Sequence, residues 1–192
     1  MSKQAWVTAD PHFSHAGVCR FLAPNNIDKL RPWNNTEEMD EALVKNWNSV
    51  VGEFDRVYLL GDVAINRRAL PILYRLKGKK VLVKGNHDIF ALKDYLPYFE
   101  DIRAYVVKKN SEGGKVILSH IPIHEESLGR WGLNIHGHLH AHKVTRRINR
   151  SREVEDRRYV CVSVEQTNFT PITLEEAVSR GIPEINGWYE HE

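Results

Sequence analysis

Residues 81–88 read Val-Leu-Val-Lys-Gly-Asn-His-Asp. Three apolar residues, two of them β-branched, predict a short buried strand. The glycine then lets the backbone turn sharply, so Asn86, His87 and Asp88 gather at the strand's carboxyl end. The same pattern recurs at four other apolar runs. Residues 5–9 lead into Asp10-Pro11-His12, residues 57–60 into Gly61-Asp62, residues 116–118 into Ser119-His120, and residues 133–135 into His136-Gly137-His138-Leu139-His140. Further strand-length runs lie at 105–107 and 159–164.

Helices separate several of these runs. Asn35 is placed to cap a helix with Glu38 at the third helical position, and Met39, Leu43, Val44, Trp47 and Val51 form its apolar stripe. A second helix is expected over 70–76, stopped by Gly78, with Pro71 near its start. A third is expected over 174–180, with Thr173 and Glu176 as a capping box and Gly181 as the stop, and shorter helical turns over 90–96. Strands interleaved with helices in the first hundred residues, then mostly strands, predict a pair of mixed sheets covered by helices. Two stretches, 13–34 and 121–131, have weak periodicity, and each follows a metal-ligand type of residue, so they are candidate rims of a site.

At 192 residues the chain reads as one domain spanning 1–192, long enough to fold without disulfide or metal staples. Hydrophobic residues at 42% and charged residues at 27% exclude disordered, collagen-like and coiled-coil classes. A net charge of +2 is too balanced for a general polyanion binder. Cys19 and Cys161 form no close-spaced redox or metal motif, and no apolar stretch suits a signal peptide or a membrane span, so a cytoplasmic protein with no membrane partner is expected. Histidine is the outlier: six of the ten fall within 120–142.

In an extended chain residues two apart point the same way, so Asp10 and His12 can face one ion. Ligands at the carboxyl ends of neighbouring strands open onto one crevice. Asp10, Asp62 and Asn86 with His12, His120, His138 and His140 are too many donors for one four-coordinate ion. They suit two ions ~3.5–4 Å apart sharing a carboxylate, for which Asp62 is the natural bridge.

Asp-x-His, Gly-Asp, Gly-Asn-His-Asp, a lone His and Gly-His-x-His, in this order over residues 10–140, resemble the calcineurin-like metallophosphoesterase superfamily. The stretches 10–15, 31–33, 46–47 and 163–170 are similar to a small stand-alone branch of bacteria and phages. The resemblance implies an α/β fold, a four-layer α/β/β/α sandwich of two mixed sheets flanked by helices. It assigns Asp10, His12 and His140 to a first ion and Asn86, His120 and His138 to a second, with Asp62 between them. It further implies hydrolysis of a phosphodiester or phosphomonoester by a metal-bridging hydroxide, with His87 stabilising charge or protonating the leaving oxygen. Asp62 is followed by Val63-Ala64-Ile65-Asn66 rather than the Arg-Gly of protein phosphatases, which disfavours a phosphoprotein substrate.

An oxygen and imidazole donor set without thiolate predicts two divalent ions, manganese first, with iron, zinc, nickel or cobalt as alternatives. His15 and Arg31 are candidate substrate contacts from the rim. His136 and His142 read as solvated strand-edge residues, His124 and His191 as surface residues. Cys161 reads as a packed thiol, and Trp33, Trp47 and Trp131 as packing residues. Residues 143–158 hold seven Lys and Arg against three acids and read as a hairpin. That hairpin is a solvated face or a guide for a phosphate-rich substrate, so small phosphoesters, nucleotides and nucleic acid are the expected partners. Two other functions remain open: a nuclease or nucleotide phosphoesterase acting on nucleic-acid ends, and a degenerate phosphoesterase fold serving as a scaffold. The complete ligand set speaks against the scaffold.

Overall fold

Side chains that point alternately to the two faces of each strand set the layering. The computed structural model describes residues 3–110 and 113–181. One sheet contains β1 (Ala5–Thr8), β2 (Arg56–Leu59), β3 (Lys79–Val83), β4 (Asp101–Arg103) and β11 (Ile172–Thr173), in the order β11-β1-β2-β3-β4. A second contains β5 (Val106–Lys109), β6 (Lys115–Ser119), β7 (Leu133–His136) and β10 (Tyr159–Cys161), in the order β10-β7-β6-β5. Each sheet is parallel except at one edge, where β11 and β5 run antiparallel to their neighbours. Both are therefore mixed, as expected.

From the first sheet Val57, Leu59 and Leu82 face a helical layer, whereas Tyr58, Leu60, Val81 and Val83 face Val116, Leu118, Leu133 and Ile135 of the second. Period-two side-chain alternation thus makes one sheet the wall of two cores. Over its outer face lies α1 (Thr36–Val50), where Asn35 Oδ1 accepts from the Glu38 amide at 2.8 Å and the expected stripe is buried. The second expected helix is a 3-10 helix, Arg67–Arg75, rather than an α-helix. Pro71 within it has no N–H for an α-type ladder, and Asn66 caps it three residues earlier than the apolar pattern begins.

Two further helices are single turns, α2 (Leu92–Tyr95) and α3 (Glu125–Leu128). The last, α4 (Leu174–Arg180), has the expected boundaries, with Thr173 Oγ1 accepting from the Glu176 amide. Its Leu174 and Ala177 join the core between the sheets. The outer face of the second sheet is covered by residues 121–128, tied down where the Ile123 amide donates to Asn134 Oδ1 and the Tyr159 hydroxyl donates to the Ile123 carbonyl. The fourth layer is consequently a loop with one helical turn. The basic segment forms the two-stranded ribbon β8 (Thr145–Asn149) and β9 (Arg152–Glu155). Among the described residues no helix is long and apolar enough to cross a membrane.

Register brings the strand ends together. Thr8 pairs with Leu59 and Leu59 with Leu82, while Ser119 pairs with His136. The sheets meet at the same place, because the Ala9 amide donates to the Val162 carbonyl and the Val162 amide to the His136 carbonyl.

Candidate metal centre

All seven expected ligands lie in the crevice above these strand ends. In each of two groups, Asp10 with His12 and His140, and Asp62 with His120 and His138, the donor atoms lie within 4.8 Å of one another. Asn86 belongs to the second group, its Oδ1 lying 2.8 Å from His120 Nε2 and 2.9 Å from His138 Nδ1. Asp62 faces both groups, with Oδ2 3.6 Å from His12 Nε2 and Oδ1 3.4 Å from His120 Nε2. It is placed as a bridge.

Divalent ions fit this arrangement. Asp10 Oδ1 is buried with no hydrogen-bond partner among the described residues, a costly state for a polar atom that ligation relieves. His120 Nδ1 donates to the Leu60 carbonyl at 2.8 Å, which leaves the Nε2 lone pair for a metal. Burial, helped by the Arg31 charge, pushes His12 down to about 2, so it stays the neutral imidazole that ligation requires. Burial pushes Asp10 up to about 6, against the pull of His140 and His120. A cation beside this carboxylate would restore its charged form.

The backbone is strained where these ligands sit. Asp10 (φ 58°), His12 (49°), Asp62 (53°), His138 (70°) and His140 (51°) all occupy the left-handed region. Non-glycine residues there cost about 1–3 kcal/mol each and persist only when the surroundings over-determine them. Here the surroundings are identifiable. Asp88 accepts from the amides of Asp62, Val63 and Gly85, fixing two ligand loops at once. Asp10 Oδ2 accepts from the His138 amide at 2.8 Å and from the Ser163 hydroxyl. Gly85 and Gly137 permit the close approach, since a Cβ at Gly85 would overlap the Asp62 carboxylate and one at Gly137 would come 2.7 Å from Asp10 Oδ2.

Arg31 is not a rim contact. Its side chain is fully buried and donates to the carbonyls of Asp10 and Pro11 at 2.6 and 2.7 Å and to Glu165 Oε1 at 2.8 Å. Every direction the guanidinium fork can reach is filled by protein, so it braces the Asp10 loop instead of touching substrate. Glu165, absent from the sequence-derived site, is shared between Arg31 and His140, whose Nδ1 donates to Oε1 at 3.1 Å. Burial opposes charge on both partners, yet the hydrogen bond and charge of Glu165 raise His140, and those of His140 together with the Arg31 charge lower Glu165. The carboxylate occupies Nδ1 and leaves Nε2 as the nitrogen available to an ion of the first group. Glu165→Gln is expected to weaken ion binding there ~10–100-fold, the usual effect of losing a partner behind a ligating histidine. Calorimetric metal titration checks this.

His87 is exposed above the crevice, its ring centroid 5.5 Å from that of His12, and its amide donates to Asp62 Oδ1 at 2.8 Å. His15 is half-buried with its ring 5.4 Å from His12. Both are therefore brought to the first group, on the solvent side. His136 departs from expectation: it is fully buried rather than solvated, with Nδ1 2.7 Å from the Gly137 carbonyl. Alternation along β7 turns it into the covered outer face of the second sheet. His142 is exposed, His124 is exposed and caps α3, and His191 lies outside the described residues. Burial pushes the Cys161 thiol up to about 11, which suits no nucleophile. Trp47 is buried, and Trp33 packs on Phe169 at 4.6 Å.

The match to known proteins runs the length of this architecture. The family model for calcineurin-like phosphoesterases matches residues 4–179. The chain is similar to the uncharacterized protein MJ1445 of Methanocaldococcus jannaschii, 34% identical over 90% of this chain and 88% of that protein. It is also similar to the gene 66 protein of Mycobacterium phage L5, 29% identical over 78% of this chain and 83% of the relative. Among solved structures, the protein of unknown function AQ665 from Aquifex aeolicus superposes with a TM-score of 0.63 at 25% identity, covering 93% of this chain and 99% of that one. With its ordered ligand set gathered at the strand ends, the chain belongs to the calcineurin-like phosphoesterase family.

Proposed function

We propose that this protein hydrolyses phosphodiesters with two divalent ions, manganese being the best match to its donors. The observation that carries the reading is Asp62, whose two oxygens face two separate donor groups. The family is dinuclear metal-dependent. When bound, the ions supply Lewis-acid neutralisation of the phosphoryl oxygens and a water acidified enough to act as nucleophile at neutral pH. The chain's own residues do the rest. Asp62 and the strained loops hold the two donor groups at fixed separation, and Asp88 keeps both loops in place. His87, exposed over the first group, delivers a proton to the departing ester oxygen. The free thiols Cys19 and Cys161 suit a reducing, cytoplasmic setting.

The preference for a diester follows from Arg31. A dianionic monoester needs fixed cations beyond the metals, and this guanidinium is turned inward onto Glu165 and two backbone carbonyls. The manganese-loaded protein is expected to cleave bis(p-nitrophenyl) phosphate with higher kcat/KM than p-nitrophenyl phosphate. A clear monoester preference would overturn the diester reading.

A nucleic-acid substrate is the second reading, favoured by the β8–β9 ribbon that follows His140. Lys143 and Arg147 there pair with Glu155 and Glu153, but Arg146 and Arg150 have no ion pair among the described residues. Neutralising Arg146, Arg147 and Arg150 is expected to weaken oligonucleotide turnover and flatten its salt dependence, by about one counterion's slope for each phosphate that is no longer neutralised. An equal drop on a small diester would mean that the ribbon supports the fold instead.

A further inference from the structure

We propose that the open groove beside Asn86 and His120 receives the ester substituent that stays on phosphorus, and that it selects an aromatic one such as an aryl group or a nucleobase. This rests on the phosphodiesterase reading above. The groove has a volume of ≈ 680 Å³, and its lining includes Lys84, Asn86, Tyr105, Ile117, Ile121 and Pro122. It lies where the end of β3, the link between β4 and β5 and the loop after β6 come together.

Three observations point to this occupant. First, the groove is continuous with the candidate metal centre, because Asn86 and His120 both line it and touch each other within the second donor group. A phosphoryl group held there can lay one substituent directly into the groove. Second, the walls are apolar while remaining open to solvent. Ile117 is buried, but Tyr105 and Ile121 are 55% and 54% exposed. Large apolar residues exposed together around a concavity mark a binding surface, unlike single exposed ones. The Tyr105 ring offers a face for stacking, and Lys84 places a cation beside the apolar wall, complementary to the anionic phosphoryl end of the ligand. Third, His87 stands over the first donor group, beside His12. The two ester oxygens of a bound diester therefore diverge, the leaving one toward His87 and the retained one toward the groove. A larger groove of ≈ 710 Å³ on the other side of Tyr105 contains none of the donor residues, and Arg56, Glu100, Asp101, Arg103 and Lys108 line it beside Tyr58, Val81 and Val106, so it lacks the continuity with the metal centre and the mainly apolar wall.

Two aryl-leaving diesters separate the retained group from the chemistry: bis(p-nitrophenyl) phosphate and methyl p-nitrophenyl phosphate. Their intrinsic reactivities differ, but that difference cancels when the kcat/KM ratio is compared between proteins. In the manganese-loaded double variant Tyr105→Ala and Ile121→Ser, the ratio of aryl to methyl diester is expected to fall about tenfold from the native value, the scale of removing one stacked ring. A second measurement needs no turnover. Calorimetry on the metal-loaded native protein should show phenylphosphonate binding about tenfold tighter than methylphosphonate, and the double variant should abolish that difference. An unchanged ratio together with an unchanged phosphonate difference would overturn the proposal, and is what a groove built for a protein partner would give. If the native protein cleaves neither diester, the phosphodiesterase reading fails, and the phosphonate comparison alone still decides the groove.

Discussion

Asp62→Asn is expected to lower affinity for both divalent ions together, by more than the ~10–100-fold that losing a supporting residue costs. The substitution keeps the shape, and its amide oxygen can still accept from the His87 amide now bonded to Oδ1 at 2.8 Å. What it removes is the negative charge that faces His12 on one side and His120 on the other. Because two-metal stabilisation is worth several kcal/mol, turnover should fall at least ~10³-fold. The contrast is Asn86→Ala: the Asn86 side chain bonds, among the described residues, to His120 and His138 of the second group, and its loss should weaken one ion. Metal content of dialysed protein at graded free manganese reads both results. Independent loss of a single ion in Asp62→Asn would show that the carboxylate does not bridge.

His87→Ala should separate binding from catalysis. The side chain is exposed, and only its backbone amide contacts Asp62, so alanine preserves that hydrogen bond and the metal content. Turnover should nevertheless fall ~10²–10⁴-fold, the usual contribution of a positioned proton donor. The decrease should be smaller for esters of nitrophenol, whose leaving oxygen needs little protonation, than for alkyl esters. Equal decreases on both leaving groups would give His87 a charge-stabilising role instead, and full activity would remove it from the mechanism.

The fold was legible where burial and local chemistry agree. Strands β1, β2, β3, β6 and β7 read as apolar runs because each is buried, and their ends carry ligands because parallel strands open onto one crevice. The caps of α1 and α4 were legible because a capping side chain acts within three residues. By contrast β4 is three residues, Asp-Ile-Arg, at a sheet edge, and its pairing with β3 leaves no apolar signature. Arg31 reads as a surface phosphate contact because charged side chains are seldom buried without a partner. Its partner, Glu165, lies 134 residues away, a separation over which no local pattern operates. The one available signal was positional: Glu165 follows the apolar run at 159–164 just as the ligands follow theirs. His136 reads as solvated for a related reason, since alternation with His138 and His140 suggests one shared environment, whereas β7 ends at His136 and the ligand loop begins after it.

If two ions held on either side of Asp62 are required for hydrolysis, metal binding and turnover must rise together. Titrating manganese into chelator-treated protein, while recording both bound ions per chain and turnover of bis(p-nitrophenyl) phosphate, tests this most directly. Saturation is expected at two ions per chain, with turnover absent in chelator and rising as the second ion binds. Saturation at one ion or none with every ligand intact, or turnover that persists in chelator, would contradict it.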